Sequence, residues 1–163
     1  MTTTLPESPA VLSSDRRYRY VLRRRVGLEP GRVCFIMLNP STADESIDDP
    51  TIRRCMDFTR RWDQGELVVV NLFAWRSSDP SALLVADDPV GPDNATYIML
   101  AAACSSTVVA AWGAIHPKYG RWALHVAGLF TETRLSCLGR TKAGWPRHPL
   151  YVAAQTPLET YVT

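Results

Sequence analysis

The sequence predicts an α/β domain: a three-layer α/β/α sandwich around a central, mostly parallel sheet of four strands. Two observations carry this. Four apolar runs of strand length, at 33–38, 67–74, 107–112 and 135–138, alternate with segments of helical pattern. The runs are apolar almost throughout, as in strands covered on both faces. With 163 residues and 46% apolar side chains, the chain fits one domain with a substantial core.

Taken in order, residues 1–14 are rich in Thr, Ser and Pro, which predicts a disordered lead and a single domain over 15–163. Tyr18, Tyr20 and Leu22 alternate with Arg17, Arg19 and Arg23, so a half-exposed strand is expected, added antiparallel at an edge of the sheet. Glu29-Pro30-Gly31 makes a turn into the run at 33–38. Asp49-Pro50-Thr51 opens a helix over 51–63, with Asp49 as N-cap and Pro50 in the first turn. The second run, 67–74, ends at Trp75-Arg76. Ser78-Asp79-Pro80 starts a short helical or irregular segment, and Asp88 to Pro92 is a loop. Helices are expected over 93–104 and 117–129, on either side of the third run. The fourth run leads into a loop over 139–148, and residues 150–154 are compatible with the start of a further helix.

The net charge of +2 does not by itself indicate a nucleic-acid partner, but its distribution is uneven. Six arginines lie in 16–25 and four acids in 44–49. The basic arm suits either a charge-protected edge strand or an approach to phosphates. Cys34, Cys55, Cys104 and Cys137 are far apart, with no C-x-x-C pair. They are expected as buried or free thiols in a reducing compartment. The chain shows neither the apolar core of a signal peptide nor a run of membrane-spanning length. A cytoplasmic monomer with no membrane partner is expected. Neither G-x-G-x-x-G nor a P-loop occurs.

Polar and aromatic residues cluster where the apolar runs stop. The first run gives Asn39-Pro40-Ser41. The second gives Asn71, then Phe73, Trp75 and Arg76. The third gives Trp112-Gly113, and the fourth gives Gly139-Arg140-Thr141-Lys142, running on to Arg147-His148-Pro149. In a parallel sheet these ends share one edge, the edge at which α/β folds hold ligands. Such residues can bond a planar polar ligand, stack on it and hold phosphates, as a base or nucleotide site requires.

In this order the clusters resemble the motifs of the uracil-DNA glycosylase superfamily. Leu38-Asn39-Pro40-Ser41 is similar to its first motif, Val69-Val70-Asn71-Leu72 to the strand whose Asn reads the base, Trp112-Gly113 to the end of a later strand, and Arg147-His148-Pro149-Leu150 to a closing His-Pro-Ser motif. The resemblance covers roughly 33–151. Leu38 stands where Gly is usual and Leu150 where Ser is usual. No set of cysteines matches the iron–sulfur branches. The chain also resembles a family of bacteria and their phages known only as a domain of unknown function, itself grouped with these glycosylases by remote similarity.

The resemblance implies hydrolysis of an N-glycosidic bond without a cofactor, on DNA or a nucleotide. Asn39 would position the water, with Asp44 as an acidic helper, and His148 would donate a hydrogen bond to the leaving base. Asn71 would pair with the base edge, Phe73 or Trp75 would stack on it, and Lys142 and Arg147 would hold flanking phosphates. Two other readings stay open: a module that binds a base without cleaving it, and a nucleotide- or DNA-modifying enzyme using Mg²⁺ at Asp44, Asp48 or Asp49.

Overall fold

A computed structural model describes residues 4–41, 46–130 and 134–162. The fold is α/β, with one mixed sheet of seven strands. In chain order the elements are β1 (Ala10–Leu12), β2 (Arg19–Arg25), β3 (Arg32–Met37), α1 (Pro50–Arg61), β4 (Glu66–Asn71), α2 (Asn94–Ala103), β5 (Thr107–Ala110), α3 (Gly120–Gly128), β6 (Ser136–Cys137) and β7 (Glu159–Thr160). The strand order is β1-β2-β4-β3-β5-β6-β7. β4, β3, β5 and β6 run parallel, while β2 joins β4, β1 joins β2 and β7 joins β6 in antiparallel fashion.

The expected sheet of four strands is therefore too small. The four apolar runs supply its parallel centre, and three further strands extend it. Their sequences lack long apolar runs because each is short or lies beside an edge, so their pairing partners define them rather than their own pattern.

The parallel strands alternate strictly. Cys34, Ile36, Val68, Val70, Val108 and Ala110 face a core shared with Ile98 and Ala101 of α2 and Ala123 and Val126 of α3. Val33, Phe35, Leu67, Val69 and Val109 face Ile52, Cys55 and Phe58 of α1. Helix α1 begins where Asp49 Oδ1 accepts the Ile52 N–H at 2.8 Å, with Pro50 behind it, as the sequence predicts.

Two expectations about the N-terminal part need correction. Residues 10–12 are a strand rather than disorder, and Leu5 is buried. The lead is tied down because the Arg23 N–H donates to Pro9 O and the Arg23 guanidinium to Pro6 O. β1 in turn covers β2, so β2 is not the edge and is not half-exposed. Its Arg19, Tyr20, Val21 and Leu22 are all buried, and Tyr20 stacks on Tyr97 of α2 at 5.0 Å. Two boundaries also shift. The helix expected over 117–129 starts with a 3-10 turn (Pro117–Tyr119) before α3, and only a 3-10 turn (Pro149–Tyr151) forms near 150–154. No helix among the described residues is long and apolar enough to cross a membrane. All four cysteines are free thiols, and burial pushes the Cys34 thiol up to about 12 and Cys137 up to about 11. Neither is poised as a thiolate.

Candidate functional site

Past the carboxyl ends of β3 and β4, on the α1 face, lies a cleft of about 260 Å³. Asn39, Ser41, Asn71 and His148 line it together with Arg19, Asp49, Ser77, Ser78 and Trp112. Four residues named from sequence thus meet in one place. The volume lies just below the roughly 300–1,000 Å³ of pockets for drug-sized ligands, which suits a group as small as one base.

Asn71 forms the floor. It takes the third place in the alternation Leu67, Val69, Asn71, so a polar group stands where the strand pattern calls for an apolar one. It is only 2% exposed. Among the described residues nothing hydrogen-bonds its side-chain amide. An amide with no protein partner that faces a cleft is open to water or to a ligand that enters. Its main chain is held firmly: Asn94 Nδ2 donates to Asn71 O at 2.9 Å and to Leu72 O at 3.1 Å, and Trp122 Nε1 donates to Leu72 O at 2.8 Å. Asn94 is fully buried at the start of α2.

Asn39 occupies one wall. Its Nδ2 donates to Ser77 O at 2.9 Å and to Pro40 O at 3.2 Å, while Ser77 N–H donates to Pro40 O. These bonds staple the end of β3 to the segment after β4. With both donors committed, Asn39 has its side-chain oxygen to offer as an acceptor. Pro40 is buried and contributes its carbonyl to the staple rather than a surface.

His148 lines the same cleft. Its Nδ1 accepts the Leu150 N–H at 3.3 Å, which leaves Nε2 as the protonated nitrogen, a donor. Burial pushes its pKa below the ordinary 6.5, and the Asp49 charge opposes this only in part. Gly113 sits against it with φ +74°, and a Cβ there would come within 3.3 Å of His148 Cβ. Only glycine adopts that backbone freely and leaves the room. From the other side Arg54 of α1 donates to Pro149 O at 3.3 Å and Val152 O at 2.6 Å, fixing the turn that carries His148.

Asp49 has two roles. One carboxylate oxygen caps α1, and the other accepts from Ser41 Oγ at 3.3 Å on the cleft wall. Arg19, 5% exposed, places its side chain in the same lining. The alternation in the arm points to a solvent-facing strand and so hides this residue, because the covering strand β1 has no sequence signal strong enough to show it.

Several expected site residues lie elsewhere. Phe73 is 1% exposed and packs on the Tyr119 ring at 4.6 Å. Trp75 meets Tyr18 edge-on at 5.6 Å, with the Arg17 guanidinium over its ring. Neither lines the cleft, so neither is its stacking residue; the aromatic in the wall is Trp112. Arg76 donates to Arg16 O at 3.0 Å, outside the lining. Asp44 falls outside the described residues. Lys142 and Arg147 line a second, larger cavity of about 470 Å³, which shares Trp112 and His148 with the first. Among the described residues no three His, Cys, Asp or Glu side chains gather as a metal site.

Fold and site together define an α/β domain with a small polar cleft at the carboxyl edge of its parallel strands. The chain belongs to the family described as "Protein of unknown function (DUF1643)", which matches residues 19–150. That span runs from β2 to the turn carrying His148 and includes every cleft residue named above. No curated protein and no solved structure matches the chain.

Proposed function

We propose that the protein is a base-recognising N-glycosidic hydrolase of the uracil-DNA glycosylase type, acting on DNA or a nucleotide and needing no cofactor. The observation that carries this reading is the meeting of Asn39, Asn71 and His148 around one cleft of single-base size. Their free functions are complementary. The Asn71 amide offers a donor and an acceptor to a base edge. His148 Nε2–H offers a donor to the base as it departs, and the Asn39 oxygen offers an acceptor to a water.

In this reaction the bond from the sugar's anomeric carbon to the base nitrogen breaks, and its electron pair leaves with the base. A water oxygen bonds to the same carbon, and the proton it sheds passes through solvent to the departed base anion, so that the products are a sugar hydroxyl and the neutral free base. Negative charge grows on the base, where a preorganised donor such as His148 Nε2–H lowers the barrier. A neutral imidazole can fill this role, since Nε2–H donates while Nδ1 accepts the Leu150 N–H. The low pKa imposed by burial keeps it neutral through the physiological range. Trp112 is the aromatic in the lining that a bound base would meet, since Phe73 and Trp75 lie outside it.

The test is incubation with single- and double-stranded DNA carrying normal and modified bases, with released base read by mass spectrometry. The expected result is release of one base, reduced about 10²–10³-fold by His148→Ala and abolished for the cognate base by Asn71→Ala. Binding without release from any substrate would overturn hydrolysis and leave a base-binding module. Activity that disappears with a chelator would instead favour Mg²⁺-dependent chemistry at the acidic loop.

A further inference from the structure

The second cavity is not absorbed by the base site. It adjoins the cleft through Trp112 and His148 but has a different lining: Thr141, Lys142, Arg147 and Tyr151. Lys142 and Arg147 are exposed, and neither pairs with an acid among the described residues. Lys142 is held up by a tight loop in which Thr141 N–H donates to Trp145 O at 2.8 Å and Gly144 N–H to Thr141 O at 2.9 Å. Tyr151 is 79% exposed, an unusual setting for a large ring. Its backbone is nonetheless held. Tyr151 ends the 3-10 turn Pro149–Tyr151, its N–H donates to His148 O at 3.0 Å, and its ring centre lies 5.5 Å from that of His148.

We propose that this second cavity is a subsite for the nucleotide adjoining the target in single-stranded DNA: its base stacks on Tyr151, and its phosphate sits between Lys142 and Arg147. The inference rests on reading the neighbouring cleft as a base site. An exposed ring on a held turn beside two open cations is the pairing by which single strands are held without regard to sequence. A duplex does not offer this contact, because its bases are already stacked on one another. The 470 Å³ of the cavity against 260 Å³ for the cleft fits a sugar-phosphate with part of a base in the former and a base alone in the latter.

The experiment is fluorescence anisotropy with a labelled single strand of about ten unmodified nucleotides, and with the same sequence as duplex. The single strand should bind more tightly than the duplex. Tyr151→Ala should weaken that binding about 5- to 150-fold, since stacking on an aromatic contributes about 1–3 kcal/mol per base, while Tyr151→Phe should leave it intact. Replacing Lys142 and Arg147 by Ala should flatten the dependence of log Kd on log salt by about 0.7 for each phosphate that is no longer neutralised. Unchanged affinity in Tyr151→Ala, or duplex bound as tightly as single strand, overturns the proposal. Base release that is indifferent to Tyr151→Ala would sink this subsite and keep the hydrolase. Tyr151-dependent binding with no release from any substrate would do the reverse.

Discussion

β4 begins with Glu66 and ends with Asn71, and the fold treats these two buried polar residues in opposite ways. At the amino end, Glu66 receives Arg23 Nε at 2.8 Å and Arg32 Nε at 2.6 Å, while the two arginines also bond Pro6 O and Cys104 O. Burial alone would raise the Glu66 carboxyl pKa, but the two guanidinium groups outweigh it and hold the carboxyl below its ordinary value. Every charge there has a partner within the chain. At the carboxyl end, Asn71 is still more buried, and nothing among the described residues bonds its amide. One end of the strand is thus satisfied within the chain, while the other keeps hydrogen-bonding capacity facing the cleft, which is what the proposed base site would use.

The comparison breaks most readily at Glu66. Glu66→Ala leaves two half-buried arginines without their acid and should cost about 2–4 kcal/mol of unfolding free energy in urea. A loss under about 1 kcal/mol would put the pair among weak surface contacts and undo the contrast. Next in size is Asn94→Ala, which strips two donors from carbonyls at the Asn71 end and should cost about 1–3 kcal/mol. Because Asn94 holds the main chain of Asn71, base affinity at a temperature where the variant stays folded should fall as well. Loss of stability with full affinity would make Asn94 purely structural.

The pH dependence sharpens the same contrast. The folded pKa of His148 lies below the unfolded 6.5. Its contribution is therefore absent well above 6.5. Between the two pKa values the unfolded state binds more protons, so stability falls as pH falls. Protonation at Nδ1 would also set two donors against each other at Leu150 N–H. Base release should hold level from about pH 8 through 6.5 and decline only in more acid solution. A midpoint at or above 6.5 would show that the imidazole is not held neutral. The smallest expected effect is at Asn71 itself: Asn71→Ala should leave stability within about 0.5 kcal/mol or raise it, while abolishing base recognition. A clear drop in Tm would mean that the amide has a structural partner after all.

Much of this arrangement is legible in the chain. Local signals define the parallel strands, the Asp49 cap and the Pro40 and Pro149 turns, and Asn39, Asn71 and His148 follow from where those strands stop. What is not legible depends on which side of a strand a residue takes. A run buried on both faces carries no alternation of polarity, so nothing in the sequence tells that Phe73 turns toward Tyr119 while Asn71 turns toward α1. The place of Trp75 is hidden likewise, because its partners Tyr18 and Arg17 are about 57 residues earlier in the chain. The pattern marks Asp49 as a cap, and it is one. Its second oxygen reaches the cleft only because α1 packs across the end of β3, a tertiary fact. The glycosylase resemblance points to the edge of the sheet where the cleft lies, but to aromatic residues that lie outside it.

The outer strands have a consequence for handling the protein. β1 has three residues with a register shift between Val11 and Leu12, and β7 has two. Short, irregular margins give another molecule little backbone to add to. Beneath β1 lies β2, seven residues long and regular. Trimming the first fourteen residues would unmask that strand and turn a self-limiting sheet into one that can recruit copies of itself, so a shortened version would be expected to precipitate on concentration where the full chain remains dispersed.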